Sequence, residues 1–314
     1  MDYAPAMIRP PSPIRTLCGL LLCVSFVLIS CGQTPSAISA PLLWKVSGNG
    51  AQAYLFGTMH VSDPRVTHLH PAVAAAFESV DAFYTEAGES TPAAGAKMAS
   101  AGMLPEGLSL RKLLPPATWA ELDSYLQSRG FGRAEAHDAH RPWFVALNLA
   151  QIDAIPLLQG GQALDFLLTA RAKASGKEIG AVETIEEQLA ALTIGSLEDQ
   201  IHILEITLTK LREEQANGVS SVQQLLELYI AGDPDALWNF AMAETDLEDP
   251  VQKRAWEAIT LVRNRAMVAR IDAKLQASEG RSYMFAFGSL HFAGPDSVVE
   301  GLRALGYEVT RIDH

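Results

Sequence analysis

The chain has 314 residues, of which 48% are hydrophobic and 19% are charged, and its formal net charge is −12. This composition is too apolar for a disordered chain, and the 23 glycines and 17 prolines show no collagen-like period. The acidic balance argues against broad nucleic-acid binding, because that binding depends on Lys and Arg side chains that neutralise phosphates.

The N-terminal segment has the pattern of a bacterial export signal. Residues 1–15 carry two arginines, and residues 16–30 are uncharged and mostly apolar, as in the hydrophobic region of a signal peptide. The segment ends in Leu-Ile-Ser-Cys, which resembles a lipobox. We therefore expect a signal peptide over 1–30, lipid attachment to Cys31 and a tether over 31–41. The alternative is an ordinary signal peptide in which Cys31 has no role.

The cysteine content favours the lipid anchor. Of Cys18, Cys23 and Cys31, only Cys31 would remain after the signal is removed, so no intramolecular disulfide is expected. Lipid on Cys31 would hold the protein at a membrane. With Gly32 next in the chain, the expected location is the bacterial cell envelope, at the outer membrane and facing the periplasm.

The first predicted elements after the tether are β-strands over 42–46 and 52–56. The Ser-Gly-Asn-Gly segment between them is typical of a hairpin turn. A helix over 71–79 follows, and then a strand over 80–85. The segment 89–107 is rich in Ala, Gly, Ser and Pro, and we expect a mobile loop there.

The remainder is mainly helical and ends in alternating strands and helices. A strand is predicted over 178–182, and strand, helix and strand over 282–287, 295–305 and 307–312. The predicted helices cover 117–128, 142–155, 161–175, 185–193, 197–216, 219–230, 234–244 and 251–276. The alternation predicts one α/β domain over 42–314, with a mostly parallel sheet, an N-terminal hairpin and a large helical insertion at about 110–276.

One motif occurs twice, more than 200 residues apart. Both copies follow the scheme strand, Gly-x-x-His-x-x-x-Pro, with the histidines at His60 and His291. We expect glycine to let the backbone turn sharply at the strand end. The histidine then lies in the crevice outside the carboxyl ends of the strands, where open α/β sheets bind ligands.

Two glutamates follow other predicted strands in the same way. Glu86 and Glu183 are each the first charged residue after their strand, so both are expected at the same edge as the two histidines. Imidazole and carboxylate together suit a divalent metal such as Mn, Co or Zn. The alternative for each histidine is a loop residue or a satisfied cap, and the pattern alone does not decide between these readings.

Other signatures of hydrolases are missing from the sequence. It contains no His-Glu-x-x-His, no Gly-x-Ser-x-Gly and no phosphate-binding Walker loop. Asp165 is expected to cap a helix or to pair structurally. His137 and His140 are expected to be solvated.

The GxxH motifs and their context resemble the TraB/GumN family, whose Tiki-like members are membrane-tethered metalloproteases. The resemblance covers nearly the whole part of the chain that would be exported, and the matching segments occur in the same order as in the family. Its segments are LLWKV at 42–46, YLFGTMHV at 54–61, AFESVDAFYTE at 76–86, RPW at 141–143, the stretch 163–188, RNRAM at 263–267 and the stretch 284–309. The second motif departs from the family in having Ser-Leu before His291, where relatives often have a further Gly.

The resemblance implies a hydrolase site that uses a metal and both GxxH histidines. His60 and His291 would be metal ligands, or an acid–base pair without a metal. Glu86 would be a ligand or the general base, and Glu183 the alternative base or a group that orients a histidine. Arg263 would bind a substrate carbonyl or carboxylate, with Asn264 assisting as a second substrate-binding residue; the alternative for Arg263 is a solvated helix face.

Two functions remain open at this point. The first is a membrane-tethered, metal-dependent hydrolase that acts on peptides or proteins. The second is a non-catalytic lipoprotein that holds haem, a metal or another ligand in the same crevice.

Overall fold

The computed structural model describes residues 38–48, 50–88, 91–158, 161–193, 195–278 and 280–313. The predicted signal peptide, Cys31 and most of the tether lie outside these residues, so lipid attachment stays a prediction. Within the described ranges, no helix is both long and apolar enough to cross a membrane.

A six-stranded sheet in the order β4-β3-β5-β2-β1-β6 forms the centre of the fold. Its strands are β1 (Leu43–Gly48), β2 (Ala51–Thr58), β3 (Ala82–Thr85), β4 (Glu178–Ala181), β5 (Ser282–Gly288) and β6 (Glu308–Arg311). The four strands β2, β5, β3 and β4 run parallel to one another. Strand β1 is antiparallel to both β2 and β6. The predicted hairpin and the mostly parallel α/β sheet are therefore confirmed.

The described residues also form fourteen α-helices. They are α1 (Pro64–Thr67), α2 (Pro71–Ser79), α3 (Pro92–Ala101), α4 (Leu110–Leu113), α5 (Pro116–Ser128), α6 (Pro142–Ala150), α7 (Leu164–Ala174), α8 (Ile185–Leu192), α9 (Leu197–Asn217), α10 (Ser221–Ala231), α11 (Pro234–Ala243), α12 (Pro250–Trp256), α13 (Arg263–Gln276) and α14 (Val298–Ala304). Helices α3 to α13 all fall between β3 and β5, interrupted once by β4.

The predicted loop over 89–107 is wrong, because it contains helix α3. Thr91 caps this helix by accepting a hydrogen bond from the backbone of Ala94, and Pro92 occupies the first turn. Alanine has the highest helix propensity of all residues. The small residues that suggested a loop are therefore compatible with a helix once its cap is recognised.

The predicted helix over 251–276 contains a wide turn in its middle. Residues Glu257–Val262 form a π-helical segment between α12 and α13. A π turn holds one more residue than an α turn, so it rotates the faces of the two flanking helices relative to each other. This places Arg263 and Asn264 at the start of α13.

Two apolar clusters pack the domain. The larger one lies on the sheet and includes Phe83, Phe285 and Met267. The smaller one joins α5, α6 and α9 and includes Leu122 and Leu204. The central strands β3 and β5 are buried along most of their length, as is typical of parallel strands covered on both faces.

Candidate active site

The carboxyl ends of four parallel strands meet at one edge of the sheet. His60 follows β2, Glu86 follows β3, Glu183 follows β4, and His291 lies in a 3₁₀ turn directly after β5. The backbone N–H of Glu183 donates to the backbone carbonyl of Glu86 at 2.8 Å, which brings the ends of β3 and β4 together. The placement expected from the strand order is thus observed.

The two motif glycines lie at closely packed positions. Neither Gly57 nor Gly288 has a positive φ angle, so the expectation of a sharp glycine turn is wrong. A Cβ atom on Gly288 would lie 3.2 Å from Oε1 of Glu86, and one on Gly57 would lie 3.1 Å from the backbone of Ser289. The backbone N–H of Gly288 also donates to Oε1 of Glu86 at 3.0 Å. Glycine therefore lets a carboxylate approach the backbone of β5.

Arg263 bridges the two glutamates. Its Nη2 lies 2.8 Å from Oε2 of Glu86 and 2.5 Å from Oε1 of Glu183, and its Nε donates to Oε2 of Glu183 at 3.0 Å. Gln188 donates to both carboxylates, at 3.2 Å to Glu86 and 2.8 Å to Glu183. The Arg263 side chain is only 14% exposed, so the alternative of a solvated arginine does not hold. Its contact with a substrate stays a prediction.

His291 is buried and held in one orientation by Asn264. The Asn264 amide nitrogen donates to the backbone carbonyl of Asp296, which leaves its Oδ1 as the acceptor for Nδ1 of His291 at 2.6 Å. Burial of the ring lowers the pKa of His291 from 6.5 to about 4. The ring is therefore neutral at pH 7 and carries its proton on Nδ1, so Nε2 has a free lone pair.

The free Nε2 of His291 faces Oε1 of Glu86 at 3.8 Å. Burial acts to raise the pKa of Glu86, but the charge that His291 carries when protonated at low pH, the charge of Arg263 and the backbone N–H of Gly288 together lower this pKa. Glu86 is therefore ionised, and two hydrogen-bond acceptors face each other across a short gap. Such a pair is stable only with a proton donor or a cation between its members.

His60 is held by a carboxylate in place of an amide. Its Nδ1 lies 2.7 Å from Oδ2 of Asp165, and the other oxygen of Asp165 accepts a hydrogen bond from Thr58 at 2.5 Å. The hydrogen bond to Asp165 raises the pKa of His60. The His60 side chain is 66% exposed, so its free Nε2 is accessible from solvent.

The donor groups fit a divalent metal in kind. Both motif histidines are engaged through Nδ1 by an oxygen atom, which is how metal-binding histidines are usually oriented with Nε2 toward the ion. Glu86 adds a carboxylate, and imidazole with carboxylate suits Zn, Mn or Co. The described side chains nonetheless include no group of three or more His, Cys, Asp or Glu close enough together to hold an ion. A complete ligand shell therefore stays a prediction.

The structure brings together Glu86, Glu183, Arg263, Asn264 and His291, and it places His60 at the rim of the same edge. A cavity of about 360 Å³ is lined by His60, Glu86, Asp165 and Gln188 among others. Asn264 contacts His291 and is 2% exposed, so we assign it a positioning role, and its contact with a substrate stays a prediction. Sequence reasoning missed Gln188 entirely, since a lone helical glutamine carries no signal. Sequence reasoning gave Asp165 only a structural role. Asp165 lies in the first turn of α7, where its side chain points toward β2.

Comparison with known proteins gives one family and a set of distant relatives. The sequence model of the TraB/PrgY/gumN family matches residues 42–311. Metalloprotease TIKI1 of Danio rerio is 26% identical over 317 residues, covering 88% of this chain and 64% of that protein. Metalloprotease TIKI2 of Danio rerio is 29% identical over 298 residues, covering 82% and 58%. The chain thus spans about three fifths of the length of these two relatives.

A bacterial relative matches over nearly its full length. An uncharacterized protein of Treponema pallidum is 26% identical over 309 residues, covering 92% of this chain and 91% of that protein. No solved structure gave a significant match to the chain.

Proposed function

Because the chain belongs to the TraB/PrgY/gumN family, we propose that it is a metal-dependent hydrolase, and specifically a peptidase. Relatives that carry the name metalloprotease support this reaction class. The observation that carries the proposal is the neutral His291, whose free Nε2 faces the ionised Glu86 across 3.8 Å at the ligand-binding edge of the sheet.

His60, His291 and Glu86 would hold the metal. A bound divalent ion lowers the pKa of a water molecule and polarises a carbonyl group. Asn264 fixes the tautomer of His291 by accepting from Nδ1, and Asp165 takes the equivalent position beside His60. Both contacts keep an Nε2 atom directed away from its protein partner.

The carboxylates have different tasks in this proposal. Glu86 is ionised and faces His291, so it is placed either to bind the metal or to accept a proton from water. Glu183 is 3% exposed and is engaged by both Arg263 and Gln188. Glu183 therefore positions Arg263, and Arg263 in turn neutralises the second oxygen of Glu86.

The N-terminal signal sequence indicates where in the cell this reaction would take place. Export through residues 1–30 and lipid on Cys31 would tether the domain to the bacterial envelope, at the outer membrane and facing the periplasm. These residues lie outside the described part of the chain, so the proposal rests on their sequence alone. Replacing Cys31 by Ser should release the protein from membranes in cell fractionation. A Cys31→Ser variant that is still membrane-bound and correctly processed would contradict the anchor.

Metal-dependent cleavage of a peptide library tests the proposed reaction. The full-length protein is stripped of metal and assayed with added Mn, Co or Zn. Cleavage is expected only with metal and is expected to disappear in His291→Ala. His68→Ala is the matched control, because His68 is an exposed histidine whose ring contacts only the carbonyl of Pro64 among the described residues. Binding of metal or haem without any cleavage would support the non-catalytic alternative.

A further inference from the structure

A second cavity lies next to His60 and His291, on the side away from Glu183. It has a volume of about 460 Å³, and its lining includes both His60 and His291. We call it the apolar cleft, and its apolar walls are Met59, Ile203, Leu225, Leu237, Trp256, Ile259 and Leu290. This volume is in the range of cavities that bind small molecules or parts of larger ligands.

The chemistry of the lining selects for uncharged groups. Among the described residues that form it, none is Asp, Glu, Lys or Arg. The polar groups present besides the histidines are neutral, such as Gln252, Thr245 and Ser289. A charged side chain would lose its hydration in the cleft. It would find no free partner of opposite charge among the described lining residues, because the His60 ring is already paired with Asp165 at 2.7 Å. The neutral hydroxyl and amide groups of the lining can instead form hydrogen bonds with a peptide backbone. A hydrocarbon chain would not need such partners.

The walls of the cleft are fixed by packing. Tyr229 donates from its hydroxyl to the backbone carbonyl of Gly57 at 2.8 Å, which ties α10 to the end of β2. The rings of Trp238 and Trp256 meet edge to face at 5.5 Å and join α11 to α12. A Cβ atom on Gly294 would lie 2.3 Å from the ring of Trp238. Trp238 therefore packs directly on the backbone of the second motif, between His291 and Pro295.

The π-helical segment connects the cleft to the carboxylates. Ile259 and Thr260 lie in the wide turn and line the cleft, while Arg263 follows the turn directly and binds Glu86 and Glu183. One continuous helical element thus presents an apolar face and a cationic face side by side. π segments often occur at functional sites.

We propose that the apolar cleft is a specificity subsite that receives a large uncharged apolar side chain of the substrate beside the bond that is cleaved. This inference rests on the proposed peptidase function. It predicts that peptides with Leu, Met, Phe or Trp next to the cleaved bond are preferred, and that peptides with Asp, Glu, Lys or Arg at that position are rejected.

A change of specificity in Ile259→Glu tests the subsite by activity. Ile259 is 37% exposed, so the substitution should leave the core intact while placing a carboxylate in the cleft. Cleavage beside large apolar residues is expected to fall by about tenfold or more. Val262→Glu is the matched control, because Val262 lies in the same turn, is 53% exposed and is not among the described residues that line the cleft. Cleavage without preference in the wild type, or an unchanged preference in Ile259→Glu, would overturn the subsite.

Binding of a small probe tests the subsite without turnover. N-acetyltryptophanamide should show saturation transfer in NMR with the wild type and with Val262→Glu, and at least about tenfold weaker binding to Ile259→Glu. N-acetylaspartamide should not bind. Peptide cleavage without probe binding would refute the subsite and leave the hydrolase proposal standing. Probe binding without cleavage of any peptide would show an apolar binding site but refute the peptidase, and with it the role of the cleft as a specificity subsite. Binding of dodecanoate but not of N-acetyltryptophanamide would show a hydrocarbon site and overturn the inference.

Discussion

The two GxxH histidines follow neighbouring parallel strands, yet their surroundings are opposite. The His60 side chain is 66% exposed and its Nδ1 contacts the carboxylate of Asp165. The His291 side chain is 9% exposed, and its Nδ1 contacts the neutral amide of Asn264. The pKa of His60 is raised, whereas burial lowers that of His291 to about 4. The partner atom and the degree of burial, and not the motif, decide the protonation state of each ring.

In the proposed metal site, this difference would give the two histidines different parts. His291 is neutral at pH 7 and needs no proton loss before it binds an ion. His60 must first release a proton, since a metal-bound imidazole is deprotonated at the binding nitrogen. We therefore expect the His291 side, with Glu86, Glu183 and Arg263, to dominate binding and chemistry.

The largest expected effect is the loss of turnover in Glu86→Gln. Glutamine keeps the size and an acceptor oxygen but cannot take a proton, so a lost general base costs about 10²–10⁴ in rate. Glu183→Gln is the companion variant, and the two should behave differently when rate and metal content are both measured. One should lose rate with metal retained, and the other should lose metal or positioning. Wild-type rates in both variants would show that the carboxylates are structural.

The next largest effect is expected from Arg263→Met. This change leaves two buried carboxylates without their cation, and removing one partner of a buried ion pair costs about 3–5 kcal/mol. The free energy of unfolding in urea measures it. Arg265→Met is the control, because Arg265 is exposed on the same helix and should change stability little. A loss below about 1 kcal/mol in Arg263→Met would mean that the buried network is absent.

Removing the partner of a ring tests how the histidines are oriented. Asn264→Ala frees the buried His291 ring, and loss of such an orienting group lowers metal affinity by about 10–100-fold. Isothermal titration with Zn measures the affinity. Asp165→Ala should lower the metal affinity less, because His60 is exposed. In this variant His60 also loses the interaction that favours its protonated form. Equal losses in the two variants would contradict the proposed difference between the two sides.

The smallest effect is a pH dependence of stability with opposite signs at the two histidines. The raised pKa of His60 stabilises the fold below about pH 6.5, and this contribution is lost as the pH rises through the folded-state pKa. His60 is exposed, so its pair with Asp165 contributes less than about 1 kcal/mol. The lowered pKa of His291 acts in reverse, because its stabilisation is present above about pH 6.5 and is lost as the pH falls toward 4.

Unfolding of His60→Gln and the wild type in urea at pH 6 and pH 9.5 measures the first contribution. The difference between the two proteins should be larger at pH 6. A larger difference at pH 9.5 would contradict the raised pKa of His60.

The sequence predicted which residues lie at this edge of the sheet better than it predicted the side-chain contacts that these residues make. Strand ends are local features, so His60, Glu86, Glu183 and His291 could be placed at one edge from their order alone. The partner of His60 lies 105 residues further along the chain, and that of His291 lies in a helix whose face depends on the π turn at Glu257–Val262. Neither periodicity nor spacing reports such side-chain pairs, because they form only when distant elements pack.

The protonation state of His291 is the most direct test of this account. Nitrogen-15 NMR of histidine side chains in the metal-free, full-length protein distinguishes a neutral ring protonated on Nδ1 from the other forms. His291 should stay in this form from pH 5 to pH 8, and its Nε2 signal should shift when Zn is added. Titration of His291 near pH 6.5, or an Nε2 signal that Zn leaves unchanged, would contradict this prediction.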